Sequence, residues 1–203
     1  MCEIGCILMA SGLSRRYGKN KLLEEIDGRA LILRTADSLF AAGLHPLTVT
    51  RSPEVQALVE REGLACVCHN GPRKSDTIHA GLENLAPDCA GFLFMPADQP
   101  LALPGSIMRL VDRFLEDPAR AVRLGFGDAA GSPVIFPAAC REDLLAYEGD
   151  RGGAEVLKNK KLPCEVVQAG HAWELWDADT PESLKQLMDV YDSFQLQNDG
   201  SMP

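Results

Sequence analysis

Ile4-Gly5-Cys6-Ile7-Leu8-Met9-Ala10-Ser11-Gly12-Leu13-Ser14-Arg15-Arg16-Tyr17-Gly18-Lys19-Asn20-Lys21 is the stretch on which the reading of this chain turns. An unbroken apolar run gives way to small residues, hydroxyls and cations. The first half predicts a strand buried on both faces, as in a parallel sheet. The second half predicts a loop at that strand's C-terminal end, where open α/β sheets bind ligands. Small residues let backbone N–H groups approach phosphate oxygens, and the cations Arg15, Arg16, Lys19 and Lys21 offset phosphate charge. The segment therefore reads as a nucleoside triphosphate loop. Two familiar alternatives fail. Gly12 to Gly18 has the wrong spacing for a G-x-x-x-x-G-K-[ST] loop, with Asn20 after Lys19, and no G-x-G-x-x-G follows the strand.

Working outward, strand-like and helix-like segments alternate along the chain. Asp27-Gly28 marks a turn before a helical pattern over Leu31–Ala42, and Leu47–Thr50 is a short β-branched strand. Ser52-Pro53-Glu54 has the form of an N-cap with proline at the first helical position. Further strands are expected at Cys66–Cys68, Gly91–Met95, Val134–Phe136 and Glu165–Val167, and further helices from Ser75 and Pro104. Thr180-Pro181-Glu182 should cap a last helix with Leu184, Leu187, Met188 and Tyr191 facing inward. Such alternation predicts an α/β sandwich, with a mostly parallel sheet covered on both faces. Residues 1–192 are expected to form one domain, and the polar segment 193–203 a loose tail.

Composition narrows the function classes. A 203-residue chain with net charge −9 is a poor partner for nucleic acid. No apolar run approaches membrane-spanning length and no signal peptide opens the chain. Seven cysteines without redox or zinc spacing read as reduced thiols of a cytoplasmic protein.

Three further segments carry chemistry. In Met95-Pro96-Ala97-Asp98-Gln99-Pro100 a carboxylate sits just past a strand end between two prolines, a rigid placement suited to Mg²⁺. In Trp176-Asp177-Ala178-Asp179 two carboxylates two residues apart share a side of an extended backbone. Asp177 is the favoured second metal ligand, and Asp179 its neighbour or a helix cap. Lys74-Ser75-Asp76-Thr77 puts hydroxyls at a helix start, able to bind a base or ribose or to cap the helix. His69, His79 and His171 form no ligand pattern and read as surface or hydrogen-bonded histidines.

Together these segments resemble the molybdenum cofactor cytidylyltransferase group of the MobA-like nucleotidyltransferase superfamily. Leu8, Gly12, Ser14, Arg16, Gly18 and Lys21 match fixed positions of its first loop. Ser75–Ile78, the Asp98-Gln99-Pro100 loop, Gly131-Ser132-Pro133-Val134, Gly149–Gly153 and Asp177–Glu182 match later motifs in order. The resemblance implies a Rossmann-like three-layer fold, Mg²⁺ as cofactor, CTP as substrate and a molybdopterin-type acceptor. A molybdenum hydroxylase or its chaperone is a possible downstream partner. It also implies roles: Lys21, Arg16 and Asp98 in catalysis; Met9, Ala10, Ser11, Gly12, Ser14, Arg16, Lys21, Ser75 and Thr77 on the nucleotide; Asp98 and Asp177 on the metal; Gly131, Ser132, Asp150 and Asp179 toward the acceptor. Ser11 stands where the family usually has alanine, Arg73 where it has glycine, and Ser132 where it has histidine. Two alternatives stay open: transfer to another phosphorylated metabolite, and a non-catalytic protein that binds and delivers the cofactor.

Overall fold

The structure, a computed structural model, describes residues 4–12, 17 and 19–199. Its elements in chain order are β1 (Ile4–Ala10), β2 (Glu25–Ile26), β3 (Arg29–Ala30), α1 (Leu31–Ala41), β4 (Pro46–Thr50), α2 (Pro53–Arg61), β5 (Cys66–Cys68), α3 (Lys74–Glu83) and β6 (Gly91–Pro96). There follow α4 (Pro104–Glu116), β7 (Ala121–Phe126), β8 (Ala129–Pro137), α5 (Arg141–Ala146), α6 (Gly153–Lys160), β9 (Cys164–Gln168) and α7 (Pro181–Asp199). The large sheet has seven strands in the order β5-β4-β1-β6-β8-β7-β9. Every neighbouring pair is parallel except the two that β8 makes with β6 and β7. The strand order reverses at β1, which has β4 on one side and β6 on the other. That reversal opens a crevice at the C-terminal end of β1, where the Ser11–Lys21 segment begins.

The three-layer architecture follows from alternation along the strands. Cys6, Leu8 and Ala10 of β1 and Leu93 and Met95 of β6 face a core shared with α1, α2 and α4. Ile7, Val49, Phe92 and Phe94 face the opposite core, shared with α3, α5 and α6. α3 lies close on β1: a Cβ at Gly81 would sit 2.6 Å from Ile7 Cδ1, so any larger residue there would force Ile7 to shift. A tight turn with positive φ at Asp27 (49°) and Gly28 (68°) joins β2 to β3, matching the turn signal in the sequence.

Several local expectations need revision. β7 and its tight connection to β8 were not expected; β7 pairs antiparallel with β8 and parallel with β9. α7 continues past Ser193 to Asp199, where a loose tail was expected, and Phe194 explains the extension. Its ring meets Trp173 edge-on at 5.3 Å, and Trp173 is itself stacked on His171 at 4.6 Å. The inward face of α7 is Leu184, Leu187, Val190 and Tyr191, with Met188 38% exposed. The expected Ser52 cap of α2 is present, its hydroxyl accepting from Val55 N at 3.3 Å.

Candidate active site

The crevice contains a cleft of about 520 Å³. The ends of β1, β4 and β6 and the start of α3 supply its walls. Lys21, Arg51, Arg73 and Lys74 all line it, a concentration of cations in an acidic chain. Lys21 is delivered by a short 3₁₀ turn, Lys21–Leu23, capped by Asn20, whose side chain accepts from Leu22 N at 3.2 Å. Burial of Leu22 anchors this turn in the core and leaves the Lys21 side chain pointing back across the sheet ends.

Lys21 Nζ lies 2.6 Å from Asp98 Oδ2 and 2.6 Å from Asp179 Oδ1. Its side chain is only 9% exposed. Burial alone would lower the Lys21 pKa, but Asp98 and Asp179 outweigh it and hold the ammonium above its usual range. Asp98 is held rigidly. Ala97 N donates to Met9 O at 3.1 Å, the Thr35 hydroxyl lies 3.1 Å from Ala97 O, and Asp98 O accepts from Ala178 N at 3.0 Å. The last bond ties the Asp177–Asp179 segment to the Asp98 loop. Gln99 reinforces the tie by donating to Asp177 Oδ1 at 2.8 Å and Leu175 O at 3.3 Å. Thr180 and Ser183 cap α7 reciprocally.

Asp177 has its pKa pushed up to about 6, first by burial and then by the negative charge of Asp98, against the Gln99 hydrogen bond. Asp98 and Asp177, with the buried Gln99 Oε1 beside them lacking a hydrogen-bond partner, form an all-oxygen set that suits a hard divalent cation. Among the described residues no group of three or more His, Cys, Asp or Glu side chains forms a full metal cage. A magnesium ion needs none, since it keeps waters and takes one or two carboxylates plus substrate phosphates.

The other expected site residues are placed as follows. Met9, Ser11, Gly12, Thr77 and Asp150 line the cleft with Lys21 and Asp98. Ala10 is buried, and its carbonyl accepts from the Thr50 hydroxyl at 3.0 Å. Ser14 and Arg16 lie outside the described residues. Ser75 is fully buried, and its hydroxyl accepts from Gly149 N at 3.2 Å, so it locks α3 to the Gly149–Gly153 loop instead of capping the helix. Asp150 accepts from Lys74 N at 3.1 Å. Asp179 joins the Lys21 cluster, and the Gly131 carbonyl is engaged by Arg123.

Ser132 lines a second hollow, about 170 Å³, that shares Met9, Lys74 and Pro96 with the main cleft. Its walls are apolar, with Phe94, Val134 and Phe136, and its cations are Lys74, Arg123 and Arg151. Gly153 admits the Phe136 ring, which would stand 2.4 Å from a Cβ there.

Sequence reading missed Arg51, whose guanidinium donates to Ser11 O at 2.8 and 3.0 Å and to Gly71 O at 3.2 Å, bracing the first loop. The signal was available: Arg51 directly follows β4, just as Asp98 follows β6. It missed Gln99 as the Asp177 clamp, and it missed Arg123.

The chain is 28% identical over 194 residues to the purine catabolism protein PucB of Bacillus subtilis (strain 168), covering 87% of this chain and 91% of PucB. It is 25% identical over 195 residues to a probable molybdenum cofactor guanylyltransferase of Pyrococcus furiosus, covering 91% and 95%. Its fold is similar to that of Rv0371C of Mycobacterium tuberculosis H37Rv in complex with manganese, with a TM-score of 0.77 and 20% identity over 92% of this chain and 98% of that one. Residues 6–165 match the MobA-like NTP transferase domain, and the chain belongs to that family of nucleotidyltransferases.

Proposed function

We propose that this protein is a Mg²⁺-dependent CTP:molybdopterin cytidylyltransferase that releases pyrophosphate. The observation that carries this reading is the Lys21–Asp98 pair lining a cationic cleft, with the buried Asp177 close to Asp98. Attack of an acceptor phosphate on an α-phosphorus brings two anions together, so charge neutralisation and alignment are the main tasks. Asp98 and Asp177 would hold the metal, which supplies neutralisation of both phosphates when bound. Lys21 stabilises the charge that grows on the α-phosphoryl oxygens. Arg16 and the amides of Ala10–Gly12 hold the outer phosphates. The acceptor phosphate is already ionised, so no general base is needed.

The second hollow, lined by both aromatic and cationic side chains, supports a phosphorylated acceptor with a flat ring system. Lys74 and Arg151 suit its phosphate, and Phe94 and Phe136 suit its ring system. The pyrimidine preference rests on the resemblance of the Ser75–Ile78 segment to cytidylyltransferases and on the bulk of Ser11 in the first loop. The likeness to the probable molybdenum cofactor guanylyltransferase of Pyrococcus furiosus supports a molybdenum-cofactor acceptor over a sugar phosphate. The product would pass to a molybdenum hydroxylase or its chaperone in the cytoplasm. No described helix is long and apolar enough to cross a membrane. The test is a pyrophosphate-release assay with each nucleotide, with and without molybdopterin. Acceptor-dependent release with CTP is the expected result. Release that ignores molybdopterin but responds to a sugar phosphate would replace this reading with the alternative.

A further inference from the structure

His69 directly follows β5, its backbone N donating to Thr50 O at 3.0 Å. Its ring Nε2 stands 2.9 Å from Ser11 Oγ and 3.1 Å from Thr77 Oγ1. The Ser11 hydroxyl donates its one proton to Val49 O at 3.2 Å. Ser11 must therefore meet the imidazole as an acceptor, and Nε2 must carry the hydrogen. The same N–H faces Thr77, which leaves the Thr77 hydroxyl proton unspent. Thr77 is almost fully buried and lines the cleft, so that proton has the cleft as its outlet. His69 Nδ1 is buried with no hydrogen-bond partner. The opposite tautomer would leave a buried N–H unpaired there, a rarer arrangement than an unpaired acceptor. Burial, and then the nearby charge of Arg51, lower the ring's pKa.

We propose that His69 is a positioning residue for the nucleoside half of the substrate. It fixes Ser11 and Thr77 as acceptors and so presents the Thr77 proton as an oriented donor to a lone pair on the base or ribose. This inference rests on the nucleotide reading above. It goes beyond that reading by assigning polarity to two hydroxyls and a role to a histidine outside the motif matches.

The test separates the nucleoside end from the phosphate end. Affinities for CTP and for inorganic tripolyphosphate are measured by calorimetry on the wild type, His69→Ala and His69→Gln, and KM and kcat come from pyrophosphate release. Loss of one oriented hydrogen bond predicts CTP binding about tenfold weaker in His69→Ala. Tripolyphosphate binding should be unchanged, and the kinetic loss should fall on KM rather than kcat. His69→Gln places an amide N–H near the Nε2–H position and should recover most of the affinity. Should His69→Ala fail to fold, Thr77→Val keeps the shape, removes the donor and should show the same split between ligands. Equal weakening of CTP and tripolyphosphate would reduce His69 to a loop brace and overturn the proposal, as would unchanged CTP affinity. A wild-type protein that binds tripolyphosphate no less tightly than any nucleoside triphosphate would overturn the nucleotide reading itself.

Discussion

Replacing Lys21 with methionine keeps the aliphatic stem and removes the cation between Asp98 and Asp179. Breaking a fully buried ion pair costs about 3–5 kcal/mol. Here the Asp98 and Asp179 side chains are 22% and 57% exposed, so water compensates part of the loss. The net cost should be about 1–3 kcal/mol after that screening. For a chain of this size, that lowers Tm by about 2–12 °C. Turnover should fall much further, by about a hundredfold or more, as when one preorganised charge stabiliser is lost. The two losses should respond differently to metal. A divalent cation can take the place of the ammonium beside the carboxylates, so millimolar Mg²⁺ should raise Tm more in Lys21→Met than in the wild type. It should not restore kcat, because the charge on the α-phosphoryl oxygens still lacks its lysine. The assays are thermal unfolding with and without Mg²⁺ and initial-rate pyrophosphate release at saturating substrate. Near-normal kcat, or the same Mg²⁺ shift in both proteins, would refute the reasoning.

Asp98→Asn should abolish Mg²⁺-dependent turnover while circular dichroism stays native, because the backbone bonds that hold the loop do not involve the carboxylate; a well-folded, fully active variant would remove Asp98 from the metal site. Thr48→Val should raise stability by about 1 kcal/mol, since Thr48 Oγ1 is fully buried without a partner and valine fills the same space; a drop in the urea midpoint would show a bond to that hydroxyl. Gly81→Ala should destabilise by about 1–3 kcal/mol despite alanine's better helix propensity, because its Cβ meets fully buried Ile7 at 2.6 Å. Adding Ile7→Val removes the clashing Cδ1, so the double variant should recover part of that loss in a double-mutant cycle.

The central sheet was readable because its strands are unbroken apolar runs, and only burial on both faces tolerates sequences such as Ile4–Met9 and Gly91–Met95. Sites just beyond those strands were readable for the same reason: Asp98 stands out where an apolar run stops. β7 was harder to see, since Arg123 interrupts its apolar pattern and spends its guanidinium on Gly131 O rather than on solvent. The end of α7 was hidden because the residues after Ser193 are mostly polar, and the extension depends on Phe194 reaching Trp173 and His171. Ser75 looked like a cap or a ligand because its partner, Gly149, lies far along the chain. His69 and Arg51 carried no motif, and their meaning comes from contacts across 58 and 40 residues of sequence to the same Ser11. Long-range polar contacts of this kind have no local signature.

The central claim is that a cytidylyl group moves from CTP to a phosphorylated acceptor. The most direct measurement follows the label of CTP carrying ³²P at the α-position, with Mg²⁺ and molybdopterin, alongside matched reactions with α-labelled GTP and ATP. The account predicts label in a molybdopterin adduct, one pyrophosphate for each label transferred, and a higher kcat/KM for CTP than for GTP or ATP. Label recovered only as free nucleoside monophosphate would contradict the transfer, and a GTP value equal to or above that for CTP would contradict the assigned base.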